Sequence, residues 1–313
     1  MKGDYLDYTL TLNPSVDYKI VLKEFQEESI NYALNNNFFA GGKGINVSTV
    51  LKNLGKSSTA LGFLGGFTGD YIKSSLDSKG IKNDFIKIKY DTRLNIKMIA
   101  NGRETEINAN SPDISENEFN LLKDKLKGLT NNSILVMSGS VPAALSENAY
   151  NEISNAISND DVKLIINTSG KPLKKILRLN PFLIKPNIYE LEDIFNAKLN
   201  STKELIKIGK NIVESGVQNI IISMGSDGAI FIGSKNVAFR AFVPKISSAS
   251  TIGAGDSVIA GFVYAFDNRN TLKDSFKFGV AAGTATALKG NLCELQDVKK
   301  MLCEIRVEDV CIS

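Results

Sequence analysis

Residues 133–170 read SILVMSGSVPAALSENAYNEISNAISNDDVKLIINTSG, and the order of patterns within them decides the fold. SILVMSG is a short, unbroken apolar run. ENAYNEISNAIS has helical period, and VKLIINTSG is a second apolar run. Strands that do not alternate polar with apolar are buried on both faces. A strand, a helix and another such strand in succession therefore predict parallel strands covered by helices. The same alternation extends outward in both directions. Upstream, YTLTL and TALGFLG read as strands, and GINVSTVLKNLG (ending at the capping glycine Gly55) and DYIKSSLDSKG as helices. Downstream, PFLIKPN and NIIISMGSDGAIFIG each read as a strand, and KPLKKILRL, IYELEDIF and KELIKIGKNIVESG as helices. The expected fold is α/β, a mostly parallel sheet with helices on both faces.

Two stretches depart from this order. Residues 17–39 and 86–109 alternate without helical period, and Asn101-Gly102 is a favourable hairpin turn. They are expected to form a small lid of antiparallel strands. On that division residues 1–16, 40–85 and 110–313 make the α/β core, and 17–39 and 86–109 make the β-lid.

Composition narrows the chemistry. The chain has 313 residues, 43% of them hydrophobic, so a large core is feasible. The net charge is +3 and no basic block stands out, so no nucleic-acid partner is expected. No apolar stretch reaches the roughly 20 residues of a membrane helix, and the first residues, MKGDYLDYTL, lack the apolar segment of a signal peptide. Three cysteines, Cys293, Cys303 and Cys311, stand at no metal-ligand spacing and fit a reducing cytoplasm. The chain contains no histidine. That removes Ser-His-Asp and Cys-His nucleophilic catalysis and histidine-ligated zinc. Carboxylates, lysines, arginines, backbone amides and bound cations remain.

Glycines cluster where strands should end: AGGKGIN (Ala40–Asn46), LGGFTGD (Leu64–Asp70), SGSVP (Ser138–Pro142), SMGSDG (Ser223–Gly228) and TIGAGDS (Thr251–Ser257). Ligands of open α/β sheets bind beyond such ends, and five glycine loops there suggest a crevice for a polar, phosphate-rich ligand. No GxGxxG occurs, and GKS at Gly55–Ser57 has Val50 in place of a P-loop's first glycine. In TIGAGDS the successive amides before an apolar helix can cradle an anion. Asp256 there is either a helix cap or a base. Asn187 and Glu190, three residues apart, can offer oxygen ligands on one helical face or form a capping pair. SMGSDG is a phosphate loop, a tight turn between strands, or both.

GGKGINV together with TIGAGDS resembles the ribokinase-like sugar kinases of the phosphofructokinase B branch. TLNPSVD (Thr11–Asp17), Thr92-Arg93, SGSVP, NTSG (Asn167–Gly170), IKPNIYEL (Ile184–Leu191) and SMGSDGA follow in that family's order along almost the whole chain. The resemblance implies a Rossmann-like core with a β-lid and ATP-dependent phosphorylation of a sugar hydroxyl. It implies Asp256 as general base, with the amides of Gly253, Ala254 and Gly255 as an anion hole for the transferred phosphoryl group. It places ATP against Lys185, Asn187, Ser223, Gly225, Gly228, Thr251, Gly253 and Gly255, with Mg²⁺ held largely through water by Asn187 and Glu190. Asp17, Gly41, Gly42, Asn46 and Ser138 would line the sugar pocket, and Lys43 and Arg93 would take a substrate phosphate. The segment Phe276–Gly290 would wall the adenine or simply pack in the core.

TRLNIKMIANGRETEIN (Thr92–Asn108) most resembles the members that act on fructose 1-phosphate, so 6-phosphorylation to fructose 1,6-bisphosphate is expected, with tagatose 6-phosphate and fructose 6-phosphate as the alternative acceptors. A non-catalytic sugar-phosphate sensor is the remote alternative, and a dinucleotide enzyme on a similar sheet is disfavoured by the missing GxGxxG. A homodimer through the lid is expected by the same resemblance. The chain departs from the family at Ala143 and Ala144, at Asn167 where aspartate is usual, at Tyr32 where a basic residue often stands, and in INANSP (Ile107–Pro112), which lacks a common glycine. These departures bear on substrate identity more than on reaction class.

Overall fold

The computed structural model describes residues 6–157, 159, 161–168, 175, 179–234, 236–246 and 250–311. In chain order the elements begin with β1 (Leu6–Thr11), β2 (Ser15–Val21), β3 (Asn35–Gly41), α1 (Lys43–Asn53), β4 (Thr59–Leu64), α2 (Gly66–Ser78), β5 (Lys82–Asn83), β6 (Ile86–Lys87), β7 (Arg93–Ala100) and β8 (Arg103–Ile107). They continue with α3 (Glu116–Lys127), β9 (Ser133–Ser138), α4 (Ala149–Ala156), β10 (Lys163–Asn167), β11 (Leu183–Ile184), α5 (Ile188–Phe195), α6 (Thr202–Glu214), β12 (Asn219–Ser223), β13 (Ala229–Gly233) and β14 (Val237–Phe242). The last are α7 (Ala254–Asp267), α8 (Leu272–Lys289), α9 (Leu295–Leu302) and β15 (Arg306–Asp309). The predicted helix KPLKKILRL lies largely outside the described residues.

The large sheet has the order β15-β14-β13-β12-β11-β10-β9-β1-β4-β5, with β6 also paired to β4. It is parallel from β5 to β12 and antiparallel beyond. Every residue of β9 is buried, as its unbroken apolar sequence requires. Ile134 and Val136 join one core with Val50, Leu51, Ile259, Phe262, Phe276 and Val280, drawn from α1, α7 and α8. Leu135 and Met137, the alternate residues, join a second core with Phe119, Leu122, Tyr150, Ile153, Leu191 and Ile212, drawn from α3 to α6. The period of two in β9 thus divides the molecule into three layers. Two short strands separated by one turn replace the single expected strand NIIISMGSDGAIFIG. The 3₁₀ turn Gly225–Asp227 and Gly228, at φ 86°, reverse the chain so that β13 returns antiparallel to β12.

A four-stranded sheet, β3-β2-β7-β8, stands apart. It is mixed, not antiparallel throughout: β2 pairs with β7 in parallel, Asp17 beside Asn95. The chain between β2 and β7 passes through α1, β4 and α2 of the core, so both strands leave it in the same direction. Residues 22–34 join β2 to β3 without strand structure, and Ile86–Lys87 pairs with the large sheet.

Candidate active site

β1 lies between β4 and β9, so successive connections run to opposite sides of it, and a crevice opens beyond its C-terminal end. The small sheet rises at the same place, because Ser15 pairs with both Gly41 and Arg93 a few residues after β1 ends.

The helix α7 starts at Gly253, whose φ of 75° suits glycine and which makes no side-chain cap. Asp256 is therefore the third residue of the helix and not its cap. Its carboxylate is 6% exposed and points at two amides on other elements. Asn46, in the first turn of α1, donates Nδ2–H to Oδ2 at 2.9 Å. Asn167, the last residue of β10, donates Nδ2–H to Oδ1 at 3.0 Å. Burial pushes the Asp256 pKa up, opposed by the Asn46 hydrogen bond, the charges of Lys43 and Lys185, and the Asn167 hydrogen bond. Burial pushes the Lys185 ammonium down, opposed by Glu190 and Asp256. A Cβ at Gly255 would lie 3.1 Å from Lys185 Nζ, so the glycine admits that ammonium to the helix start. The result is a buried carboxylate able to accept a proton, beside an anion-favouring helix N-terminus and two lysines. Of the three amides expected to cradle an anion, Ala254 N–H donates to the Thr251 carbonyl at 3.2 Å.

A second cluster gathers at the base of the small sheet. Asp17 accepts from Ser15 Oγ at 2.7 Å and Asn95 Nδ2 at 3.2 Å, and Lys97 Nζ lies 3.0 Å from its other oxygen. Arg93, Asn95 and Lys97 alternate along β7 and so share a face. A Cβ at Gly41 would sit 2.7 Å from Asp17 Cγ; only glycine leaves the carboxylate its place. Arg93 donates Nη2–H to the Asn13 carbonyl at 3.2 Å, while its buried Nε has no hydrogen-bond partner among the described residues. Burial lowers the Arg93 pKa, opposed by the charge of Asp17. Ser138 Oγ, at the end of β9, is likewise buried and has no hydrogen-bond partner among the described residues. Gly42 N-caps α1, and its carbonyl accepts from Asn46 N–H at 2.9 Å, which ties the two clusters together.

On the far side, Asn187 caps α5 in a reciprocal box: Asn187 Oδ1 accepts from Glu190 N–H and Glu190 Oε2 from Asn187 N–H, each at 2.8 Å. The capping pair is real, and it leaves Glu190 Oε1 outside the box. Ser223 N–H donates to the Pro186 carbonyl at 3.0 Å, which sets the loop Gly225–Gly228 beside Asn187. Thr251 is exposed before α7. Among the described residues no three His, Cys, Asp or Glu side chains gather as a metal cage. This donor set suits a hard cation that arrives on phosphates and keeps its waters. Within Phe276–Gly290, residues 279–286 are buried, and α8 packs on α7 so closely that a Cβ at Gly279 would lie 2.6 Å from the Val258 carbonyl; Leu288 and Lys289 are exposed.

The sequence alone had not marked Ser15, Asn95, Lys97 or Asn167 as site residues. Asn95 and Lys97 lie in the TRLNIK stretch at spacing two from Arg93, a signal that one face carries all three. Asn167 was visible only as a departure from the family.

No described helix is long and apolar enough to cross a membrane. The sequence pattern of the pfkB family carbohydrate kinases matches residues 10–298. The chain is 89% identical to a 1-phosphofructokinase of Borreliella burgdorferi, over 98% of this chain and 99% of that protein. It is 39% identical to a 1-phosphofructokinase of Bacillus subtilis, over 96% and 98%. Its fold superposes on phosphofructokinase-2 of Escherichia coli, solved in complex with fructose-6-phosphate, with a TM-score of 0.89 and 30% identity over 96% and 98% of the two chains. A buried aspartate at a glycine-rich helix start, a second aspartate under a small sheet and a match spanning nearly the whole chain agree: the chain belongs to the pfkB family of carbohydrate kinases.

Proposed function

We propose that the chain is an ATP-dependent sugar-phosphate kinase that converts fructose 1-phosphate to fructose 1,6-bisphosphate. The observation that carries the chemistry is Asp256, buried at the start of α7 with one amide on each oxygen. Its near identity to the Borreliella burgdorferi enzyme supports the choice of sugar.

Asp17, with Gly41, Gly42, Asn46 and Ser138, holds the sugar hydroxyls, and Arg93 and Lys43 take the phosphate on carbon 1 as charge-assisted partners. The 6-hydroxyl then faces Asp256. Its oxygen attacks the γ-phosphorus as Asp256 takes its proton; the bond to the β,γ-bridging oxygen breaks and ADP leaves with that electron pair. The amides of Gly253 and Gly255, with Ala254 released from Thr251, and the Lys185 ammonium meet the charge that develops on the moving phosphoryl group. Thr251, Asn187, Ser223, Gly225 and Gly228 line the nucleotide phosphates. Asn187 and Glu190 would hold a magnesium ion largely through water, and that ion would supply charge neutralisation at the nucleotide phosphates. The small sheet acts as the lid that excludes water over the sugar. Ile30, Tyr32, Leu34, Phe38, Phe39 and Ile107 of that sheet and its connecting loop are exposed, and a second copy of the chain covers them in a cytoplasmic homodimer. Light scattering is expected to give twice the chain mass; a monomer mass removes the dimer.

The test of the site is Asp256→Asn, assayed by ADP release with Mg-ATP and fructose 1-phosphate. Turnover should fall by about 10²–10⁴-fold with little change in KM. Near-normal turnover would refute Asp256 as the base.

A further inference from the structure

The base is gripped from two sides by residues of elements other than its own helix. Asn46 comes from the start of α1 and Asn167 from the end of β10. Asn167 is 5% exposed, and the backbone around it is fixed. Its carbonyl accepts from Gly139 N–H at 3.0 Å, and the next residue, Thr168, donates Oγ1–H to the Gly139 carbonyl at 2.9 Å. Because a carboxylate only accepts, the Asn167 amide must present its NH₂ to Asp256. The orientation of both asparagines is thereby set, with one donor on each carboxylate oxygen. Each oxygen keeps a lone pair for the incoming hydroxyl.

We infer that Asn167 is a positioning residue: its neutral, donating amide at the end of β10 holds the Asp256 carboxylate in the attacking rotamer, with Asn46 on the other oxygen. The inference rests on the reading of Asp256 as the base. Charged groups facing Asp256 are Lys43 from α1 and Lys185 from the end of β11, both cations. Asn167 therefore holds the one contact to the carboxylate from β10, and the residue there decides whether that contact is a donor or a second negative charge. A carboxylate at 167 would put two acids within hydrogen-bond distance, and one of them would take up a proton.

The experiment is the pH dependence of kcat at saturating Mg-ATP and fructose 1-phosphate. Wild type, Asn167→Asp, Asn167→Ala and Asp256→Asn are compared. In Asn167→Asp the acid limb should move up by about 1–3 pH units, with activity recovering at high pH, which also shows that the variant is folded. In Asn167→Ala, which removes the donor without adding charge, the limb should move up by less, and the plateau should fall by roughly 10–100-fold as the carboxylate loses its fixed orientation. A role in packing alone would lower kcat equally at every pH. Acid limbs of both Asn167 variants that superimpose on wild type, with Asp256→Asn inactive, overturn the inference and leave the base intact. An active Asp256→Asn overturns the base and the inference with it.

Discussion

Gly41 has no space for a side chain, because the carboxyl of Asp17, the proposed sugar ligand, lies against it. A methyl group there would meet the Asp17 carboxyl at 2.7–2.8 Å, too close for any real contact. Asp17 would have to leave Ser15, Asn95 and Lys97, which now orient it. Hydrogen bonds to a charged group contribute about 1.5–3 kcal/mol each, or roughly 10–100-fold in binding. Gly41→Ala should therefore raise KM for the sugar phosphate by about 10–100-fold, with KM for ATP little changed, in steady-state assays that vary each substrate separately. Equal loss for both substrates would mean that Gly41 serves the fold and not the pocket. At this scale the sequence was legible where a residue type is dictated locally. Gly41, Gly253 and Asp256 stand in glycine runs whose backbone demands are visible in a few letters. Asn167 was not legible as a partner of Asp256, because 89 residues separate them and only the meeting of β10 with α7 joins them. Of the two readings open to Asn187 and Glu190, the capping box is the one formed; it uses one oxygen of each and leaves the other carboxylate oxygen of Glu190 outside it.

Between elements, an ionic cluster ties the start of β1, the loop after α1 and the end of α7. Lys56 lies 3.0 Å from Asp7 and in contact with Asp267, the last residue of α7. A carboxylate at a helix C-terminus is unfavourable against the helix dipole, and the lysine offsets it. Asp7 is fully buried at its side chain, and burial pushes its pKa from 3.8 up to about 6, against the charge and hydrogen bond of Lys56. A raised acid pKa means that the folded state binds the proton more tightly than the unfolded chain. Its stabilisation is complete below about pH 4 and is lost as pH rises to about 6, on the order of 3 kcal/mol over that window. Asp7→Asn removes the titration while Lys56 keeps Asp267. The melting temperature of the variant relative to wild type should therefore climb between about pH 4 and pH 6 and stay level above. A difference independent of pH would show that Asp7 titrates as an ordinary carboxylate. The elements themselves were largely readable from their periods. The parallel course of β2 and β7 was not, since an alternating strand has the same period whichever way its neighbour runs.

The whole molecule is two sheets, the small one standing beyond the C-terminal end of β1 in the large one. The large sheet supplies Asp256, Asn46, Asn167, Lys185 and Ser138 from the ends of its strands and the starts of its helices; the small sheet supplies Asp17, Arg93, Asn95 and Lys97 from one face. Neither set completes the proposed sugar-phosphate site alone, and its residues are divided in sequence between the glycine loops and the alternating stretches. On the proposed roles of Arg93 and Asp256, the distance between them decides which phosphorylated sugar fits. That distance must match the span from the substrate phosphate to the reacting hydroxyl. The most direct measurement is ADP production by the purified chain with Mg-ATP and, at equal concentrations, fructose 1-phosphate, tagatose 6-phosphate and fructose 6-phosphate. The account predicts the highest kcat/KM with fructose 1-phosphate, by about tenfold or more, and fructose 1,6-bisphosphate as the product. A preference for either 6-phosphate, or no sugar-dependent ADP at all, would contradict it.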